Sequence, residues 1–386
     1  MKELPPPPSM IGAYGPWAAS LVAETPGRLS LQSSPPGEFA ARRAAARARV
    51  HDCMAPPPRP VSVVPEVRRR AVHDGLAIEE LAWQLPYGPP TGAWVLKPAG
   101  ATGRLPGMLA LHDHGRFKFF GKEKIAQIGP AVPPLVAEHR AGAYDGLAWV
   151  NELARRGHVV LVHDAFAFGS RRVRVADVPP ELRGGVVDDT SETAAVIMAY
   201  NDWAADHEAV MAKSLFSAGT TWPGVFVTED QVALDILCAR PDVDSARVGC
   251  AGLSGGGLRA GFLAGLDDRI RAAVCVGMMT TWRDFLLRRS YTHTWMCFVP
   301  LLPNELDFPE IMGLRAPQPT LVMNTRDDPL FTYEGMKEAE AILARVYTAA
   351  GHPERFRCSW YPGHHQFNRA MQSEAFAWLE EAMVSK

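Results

Sequence analysis

The 386-residue sequence has no run of about 18 consecutive apolar residues, so its hydropathy predicts no membrane-spanning helix. The opening residues Met1-Lys2-Glu3-Leu4 lead into Pro5–Pro8 without the apolar core of a secretory leader, and a soluble cytoplasmic protein is the expectation. The formal net charge is only −2, which gives no electrostatic reason to expect a nucleic-acid or anionic-membrane partner. Cysteine is scarce. The six (Cys53, Cys238, Cys250, Cys275, Cys297 and Cys358) include no C-x-x-C pair. Three of them, Cys250, Cys275 and Cys358, fall in strand-like runs and read as buried thiols in a reducing compartment, not as a disulfide frame or a zinc site. There is no internal repeat. Apolar residues, by contrast, make up 47% of the chain, ample for a large core.

Taken in order, residues 1–70 form a Pro/Ala/Arg-rich extension. A helical pattern over about Pro36–Cys53 lies between the proline clusters Pro5–Pro8 and Pro56–Pro60, and its alanine–arginine repeats favour helix. This arm is expected to pack on the main domain or on a second subunit, which makes a homodimer the candidate assembly. Residues 71–386 read as one α/β domain. Leu76–Leu85 and Thr91–Pro98 predict an antiparallel pair around the turn Tyr87-Gly88-Pro89-Pro90. Pro106–His112 and His158–Asp164 are short apolar runs typical of buried strands, with a helix expected between them over Ala143–Arg156. Residues 165–225 break this rhythm with an Arg171/Arg172/Arg174 cluster and a helical stretch, Ser191–Phe216. This is a candidate lid-like insertion or substrate pocket. A helix over Thr228–Arg240, capped by Thr228, leads into the next strand. Further strands are expected at Ile270–Val276, Gln318–Asn324 and Arg355–Tyr361, and helices at Thr332–Ala350 and Asn368–Met383.

The chemistry centres on Val248–Gly257, where an apolar run ends in Gly252-x-Ser254-x-Gly256 and a helical pattern follows directly. Strand, tight turn and helix is the context of a nucleophile elbow, which lifts the serine hydroxyl above the sheet edge and aims the Gly255 N–H at the same point. A serine nucleophile needs a base within hydrogen-bond reach and a third group to orient that base. Asp327/Asp328 and His364/His365 each follow a predicted strand, at the sheet edge where open parallel sheets carry their sites. Asp327 is favoured as the acid, since Asp328 precedes Pro329, and His365 is favoured over His364. A second oxyanion donor should come from His114-Gly115-Arg116, with the Arg116 N–H first and that of Gly115 next.

These segments resemble the α/β-hydrolase superfamily over about residues 75–384. The residues that carry the resemblance are Leu111-His112-Asp113-His114-Gly115, Arg247–Gly256, Asn324–Asp328 and Tyr361–His365, and they look most like the dienelactone-hydrolase and acetyl-xylan-esterase-like branch. The resemblance implies a mostly parallel eight-stranded sheet flanked by helices. It also implies an ester-cleaving serine hydrolase using Ser254, Asp327 and His365 with a Gly255/Arg116 oxyanion hole, and needing no cofactor or metal. The chain departs from dienelactone hydrolases proper in having serine where they have cysteine, which disfavours dienelactone chemistry and favours ester cleavage; the expected partner is a small-molecule ester, and the resemblance implies acetylated carbohydrate as a candidate. A prolyl-oligopeptidase-like peptidase or amidase is the near alternative, although no large β-propeller fits before residue 75. Of other classes, a metal-dependent hydrolase would use His112-x-His114, and a catalytically silent fold would serve binding alone.

Overall fold

The structure, a computed structural model, describes residues 9–22, 27–35, 37–187 and 192–384. The prolines Pro5–Pro8 and the expected helix starts at Pro36 and Ser191 lie outside the described residues. Nine strands form one sheet: β1 Glu66–His73, β2 Leu76–Trp83, β3 Thr91–Pro98, β4 Leu105–Leu111, β5 Val159–His163, β6 Val243–Leu253, β7 Ile270–Val276, β8 Thr320–Thr325 and β9 Phe356–Tyr361. Their order is β1-β2-β3-β5-β4-β6-β7-β8-β9. The pairs from β1 through β3 to β5 are antiparallel, and those from β5 to β9 are parallel.

The expected eight strands become nine because β1 carries no apolar alternation. Its sequence, Glu-Val-Arg-Arg-Arg-Ala-Val-His, is exposed over its first five residues, and it runs across residue 70. What holds β1 is cross-strand charge: Arg69 lies opposite Glu80 and Arg70 opposite Glu79, each as an ion pair. A charged edge strand also discourages edge-to-edge association.

The central strands are apolar on both faces, as β5 shows with all five residues buried. Two cores result, one on each face of the sheet. The N-terminal helix, Phe39–Met54, contributes Ala46, Val50 and Met54 to the larger core. Their i, i+4, i+8 spacing forms one stripe, while the arginines of the other faces stay at the surface or bond outward: Arg47 pairs with Asp268.

Two expected helices have different boundaries. The segment Ala143–Arg156 is split into Pro134–Tyr144 and Trp149–Arg155, because Asp145 and Gly146 adopt left-handed conformations (φ 53° and 76°) that end the first helix. The helix expected from Thr228 begins a turn and a half earlier, at Trp222. The Thr221 side chain caps it by accepting from Gly224 N–H at 3.0 Å, with Pro223 in its first turn. Thr228 is interior instead, its hydroxyl bonded to the Gly224 and Pro57 carbonyls.

Candidate active site

Strand β6 ends at Leu253 and a helix starts at Gly255, running to Leu266. Ser254 sits between them with φ 57° and ψ −120°, a strained conformation for a residue with a side chain. The turn is pinned by Ser254 N–H donating to the Val276 carbonyl at 2.9 Å and by Leu258 N–H donating to the Ser254 carbonyl at 2.8 Å. Close packing explains the flanking glycines. A methyl group at Gly256 would lie 2.0 Å from the Leu111 carbonyl oxygen, and one at Gly252 would lie 2.5 Å from the Gly256 carbonyl carbon. These are backbone neighbours in the tightest part of the sheet and cannot swing away. Gly256→Ala is therefore expected to cost about 3 kcal/mol of stability. A urea midpoint equal to that of the wild type would refute this.

The loop after β9 brings a candidate base, His365, to an aspartate of the loop after β8. The His365 Nδ1–H donates to Asp328 Oδ2 at 2.6 Å, and the Asp328 side chain is fully buried. The other Asp328 oxygen accepts Leu330 N–H at 3.0 Å. With the proton fixed on Nδ1, Nε2 carries the lone pair, and it is buried with no hydrogen-bond partner among the described residues. His364 is exposed and turned to the Gly142 carbonyl at 3.2 Å.

This corrects the expectation for Asp327. Its carboxylate accepts Gly363 N–H at 3.1 Å, and its own N–H donates to the Gly363 carbonyl at 3.2 Å. Asp327 thus ties the β8 loop to the β9 loop at the surface. The turn after Thr325 directs the second aspartate inward, and the following Pro329 does not prevent it.

The oxyanion expectation is corrected in part. The Arg116 N–H is taken by His114 Nδ1 at 3.0 Å, because Gly115 and Arg116 are both left-handed (φ 54° and 52°) and fold the loop back on His114. The Gly115 N–H makes no hydrogen bond among the described residues, and the Gly255 N–H is one of the unsatisfied donors at a helix start.

Ser254, Gly255, His365, His114, Gly115 and Arg116 line one cavity of about 420 Å³, within the range of small-molecule sites. The insertion supplies one wall through Asp206 and Glu208, and the 290–297 segment another through Tyr291, His293 and Trp295. Of the aromatic and methionine residues between 277 and 300, Met278, Tyr291, His293 and Trp295 line this cavity, whereas Met279, Trp282, Phe285 and Met296 are core.

A buried network behind the cavity had no sequence signature. Glu208 stands at the start of the insertion helix Glu208–Ser217. Its Oε1 accepts His114 Nε2–H at 2.6 Å and contacts the Lys118 ammonium, and its Oε2 accepts from the Thr294 hydroxyl at 2.6 Å and Trp295 N–H at 3.2 Å. One carboxylate thereby joins the His114–Lys118 loop to the 290s segment. Burial alone would raise its pKa, but the bond from His114 and the Lys118 charge hold it well below the ordinary glutamate value. Burial, helped by the Lys118 charge, pushes His114 down to about 4, so its imidazole is neutral at pH 7.

Glu208→Ala would leave the Lys118 ammonium buried without its counter-charge, and is expected to destabilise by about 3–5 kcal/mol. A carboxylate whose folded pKa is depressed contributes stability above its unfolded pKa of about 4.3 and loses that contribution as pH falls below it. The gap between wild type and variant in urea denaturation should therefore shrink between pH 5 and pH 2. A gap constant with pH would contradict this account.

The His112-x-His114 pair offers no free lone pair for the metal-site alternative. His112 Nδ1–H donates to the Asp113 carbonyl at 3.0 Å, its Nε2 accepts Ala165 N–H at 3.3 Å, and both nitrogens of His114 are engaged as above. The Arg171/Arg172/Arg174 cluster is not uniformly exposed: Arg171 is buried. It pairs with Glu229 and bonds the Tyr87 carbonyl at 3.1 Å, while Arg172 lies 4.3 Å above the Phe119 ring. Among the described residues no helix is long and apolar enough to cross a membrane.

A mostly parallel sheet in this order, with a serine elbow after β6 and an acid and a histidine after β8 and β9, defines the α/β-hydrolase fold. The chain is 26% identical over 329 residues to the Bacillus subtilis protein named "Putative hydrolase YtaP", covering 84% of this chain and 94% of that one. Among solved structures it is similar to a "putative acetyl xylan esterase" from Bacteroides fragilis, with TM-score 0.67, 16% identity, and coverage of 89% of this chain and 81% of the other. A glucuronoyl esterase from Solibacter usitatus superposes with TM-score 0.62 and 18% identity over 94% and 98% of the two chains. No family model matches the sequence.

Proposed function

We propose that the protein is a serine hydrolase that cleaves a carboxylic ester through an acyl-enzyme. The observation that carries this reading is His365, clamped by Asp328 in the tautomer with a bare Nε2, in the same cavity as a strained, elbow-mounted Ser254. In the forward step Ser254 Oγ attacks the acyl carbonyl while its proton passes to His365 Nε2. Asp328 stabilises the imidazolium, and the Gly255 and Gly115 N–H groups receive the oxyanion. Collapse expels the alcohol, which takes the proton back from His365. Water, deprotonated by the same nitrogen, then attacks the acyl-serine, releasing the acid and restoring Ser254. No step calls for a metal or an organic cofactor.

Esters of carbohydrates, acetyl esters foremost, are the substrate class we favour. Support comes from the carbohydrate-esterase names of the similar structures and from a cavity wide enough for a small acyl group with a sugar-sized alcohol. A fluorophosphonate probe tests the reaction class. It is expected to label Ser254, identified by mass in the peptide spanning the elbow, and to abolish hydrolysis of p-nitrophenyl acetate, with butyrate and octanoate turned over progressively less well. Turnover that survives complete labelling, or activity lost to a chelator instead, would defeat the proposal.

A further inference from the structure

His293 has no part in the mechanism above, yet it lines the same cavity as Ser254 and His365. Its protonation pattern can be read from its neighbours. Nδ1 lies 3.0 Å from the Arg289 carbonyl oxygen, which can only accept, and 2.7 Å from the Thr292 hydroxyl oxygen, whose own proton goes to a backbone carbonyl, so Nδ1 carries the ring proton. Nε2 is then a bare acceptor, and it is buried with no partner among the described residues. The ring cannot turn away from this arrangement. It is held edge-on by Phe285, with centroids 4.8 Å apart at 82°, and by Phe331 at 4.7 Å, and Phe331 in turn approaches His365 to 6.5 Å. Thr292, beside it, has one hydroxyl proton to give, to the Arg289 carbonyl at 2.8 Å or the Leu330 carbonyl at 3.0 Å, and its oxygen accepts from His293 Nδ1–H at 2.7 Å. Burial, together with the nearby His365, pushes His293 down to about 4, so the acceptor is not lost to protonation near neutral pH.

A buried acceptor left unpaired is a cost that the native state carries unless a donor arrives with the ligand. A site built to receive a hydroxyl discriminates strongly against the analogue that lacks one. We infer that His293 Nε2 accepts a hydrogen bond from a hydroxyl of the substrate, next to the scissile ester, and so selects hydroxylated esters over plain alkyl esters. The inference rests on the esterase reading of the site and deepens it. The hydroxyl could lie on the alcohol side, as in a sugar or polyol ester, or on the acyl side, as in a 2-hydroxy acid ester; the recognising chemistry is the same.

Two matched substrate pairs separate these sources: 2-hydroxyethyl acetate against ethyl acetate, and ethyl lactate against ethyl propionate. For each pair the ratio of kcat/KM is measured in wild type, His293→Phe, which keeps an aromatic ring but no acceptor, and His293→Gln, whose amide oxygen can replace Nε2. Comparing ratios cancels the intrinsic reactivity of each ester. In one pair the wild-type ratio is expected to exceed that of His293→Phe by at least about tenfold, with His293→Gln recovering a substantial part. The pair that responds tells which side carries the hydroxyl. Ratios equal in all three proteins, or both members of each pair falling by the same factor in His293→Phe, would overturn the inference, since a packing or water-positioning role predicts uniform loss. Fluorophosphonate labelling of Ser254 monitors the fold of each variant, and His293→Leu takes the place of a phenylalanine variant that fails to label. Wild type that turns over none of the four esters would instead sink the esterase reading itself.

Discussion

Ser254→Ala is expected to lower kcat on p-nitrophenyl acetate by roughly 10⁵- to 10⁶-fold, without loss of fold. The size follows from the mechanism: without Oγ there is no acyl-enzyme, and only the preorganised N–H groups and substrate binding remain to assist attack by water. Stability should not suffer. Alanine fits the elbow as well as serine does, and the Ser254 side chain makes no cap hydrogen bond among the described residues; the turn is secured by its backbone bonds to Val276 and Leu258. Because nucleophile and base act as one unit, His365→Ala should cost a similar amount, and the double variant little more than either alone. Stopped-flow acylation with the nitrophenyl ester is the check. A pre-steady-state burst surviving in Ser254→Ala would place the nucleophile elsewhere, and strictly additive losses in the double variant would mean that the two side chains do not work together.

Asp328→Asn is expected to lower kcat by about 10⁴-fold, whereas Asp327→Asn should leave it within about threefold. The two substitutions differ by one residue and by the same atom, so the contrast isolates position. Asp328 is the buried carboxylate that fixes the proton on His365 Nδ1 at 2.6 Å. An amide there can turn its NH₂ toward the ring, which moves the imidazole proton to Nε2 and leaves no lone pair facing Ser254. It also removes the charge that stabilises the imidazolium. Asp327 is exposed and bonds the β9 loop, where an asparagine oxygen can still accept the Gly363 N–H. Equal losses from the two variants would mean that the loops rearrange when substrate binds. A loss confined to Asp327→Asn would restore the simpler reading of the sequence.

Much of the fold is legible in the amino-acid sequence. The apolar runs of β4, β5, β6, β7 and β8 are continuous because these strands are covered on both faces, and a buried strand needs no alternation to announce itself. The elbow was legible for a related reason: two glycines flanking a serine after such a run are what a turn needs when backbone carbonyls crowd it from both sides. Strand β1 was not legible, because an edge held by arginine–glutamate pairs looks like a solvated charged segment. The helix start at Trp222 was not legible, since Thr-Trp-Pro-Gly reads as a stop as readily as a start. The sequence favours Asp327 over Asp328 and the structure reverses that choice, because adjacent residues in a loop differ only in which way the turn points them.

The amino-acid sequence was enough to give the class of sheet, the serine elbow and the two short segments that hold the candidate acid and base. Each of these depends on local patterns: runs of buried side chains, glycines at a tight turn, polar pairs just past a strand end. Tertiary structure alone decided which aspartate faces the histidine, that the Arg116 N–H is spent on His114, and that Glu208 and His293 meet at the cavity from segments some 85 residues apart, with Glu208 bonded to Thr294 next in the chain. Contacts between distant segments are set by how helices and loops pack over the sheet edge, and no local period or spacing records them.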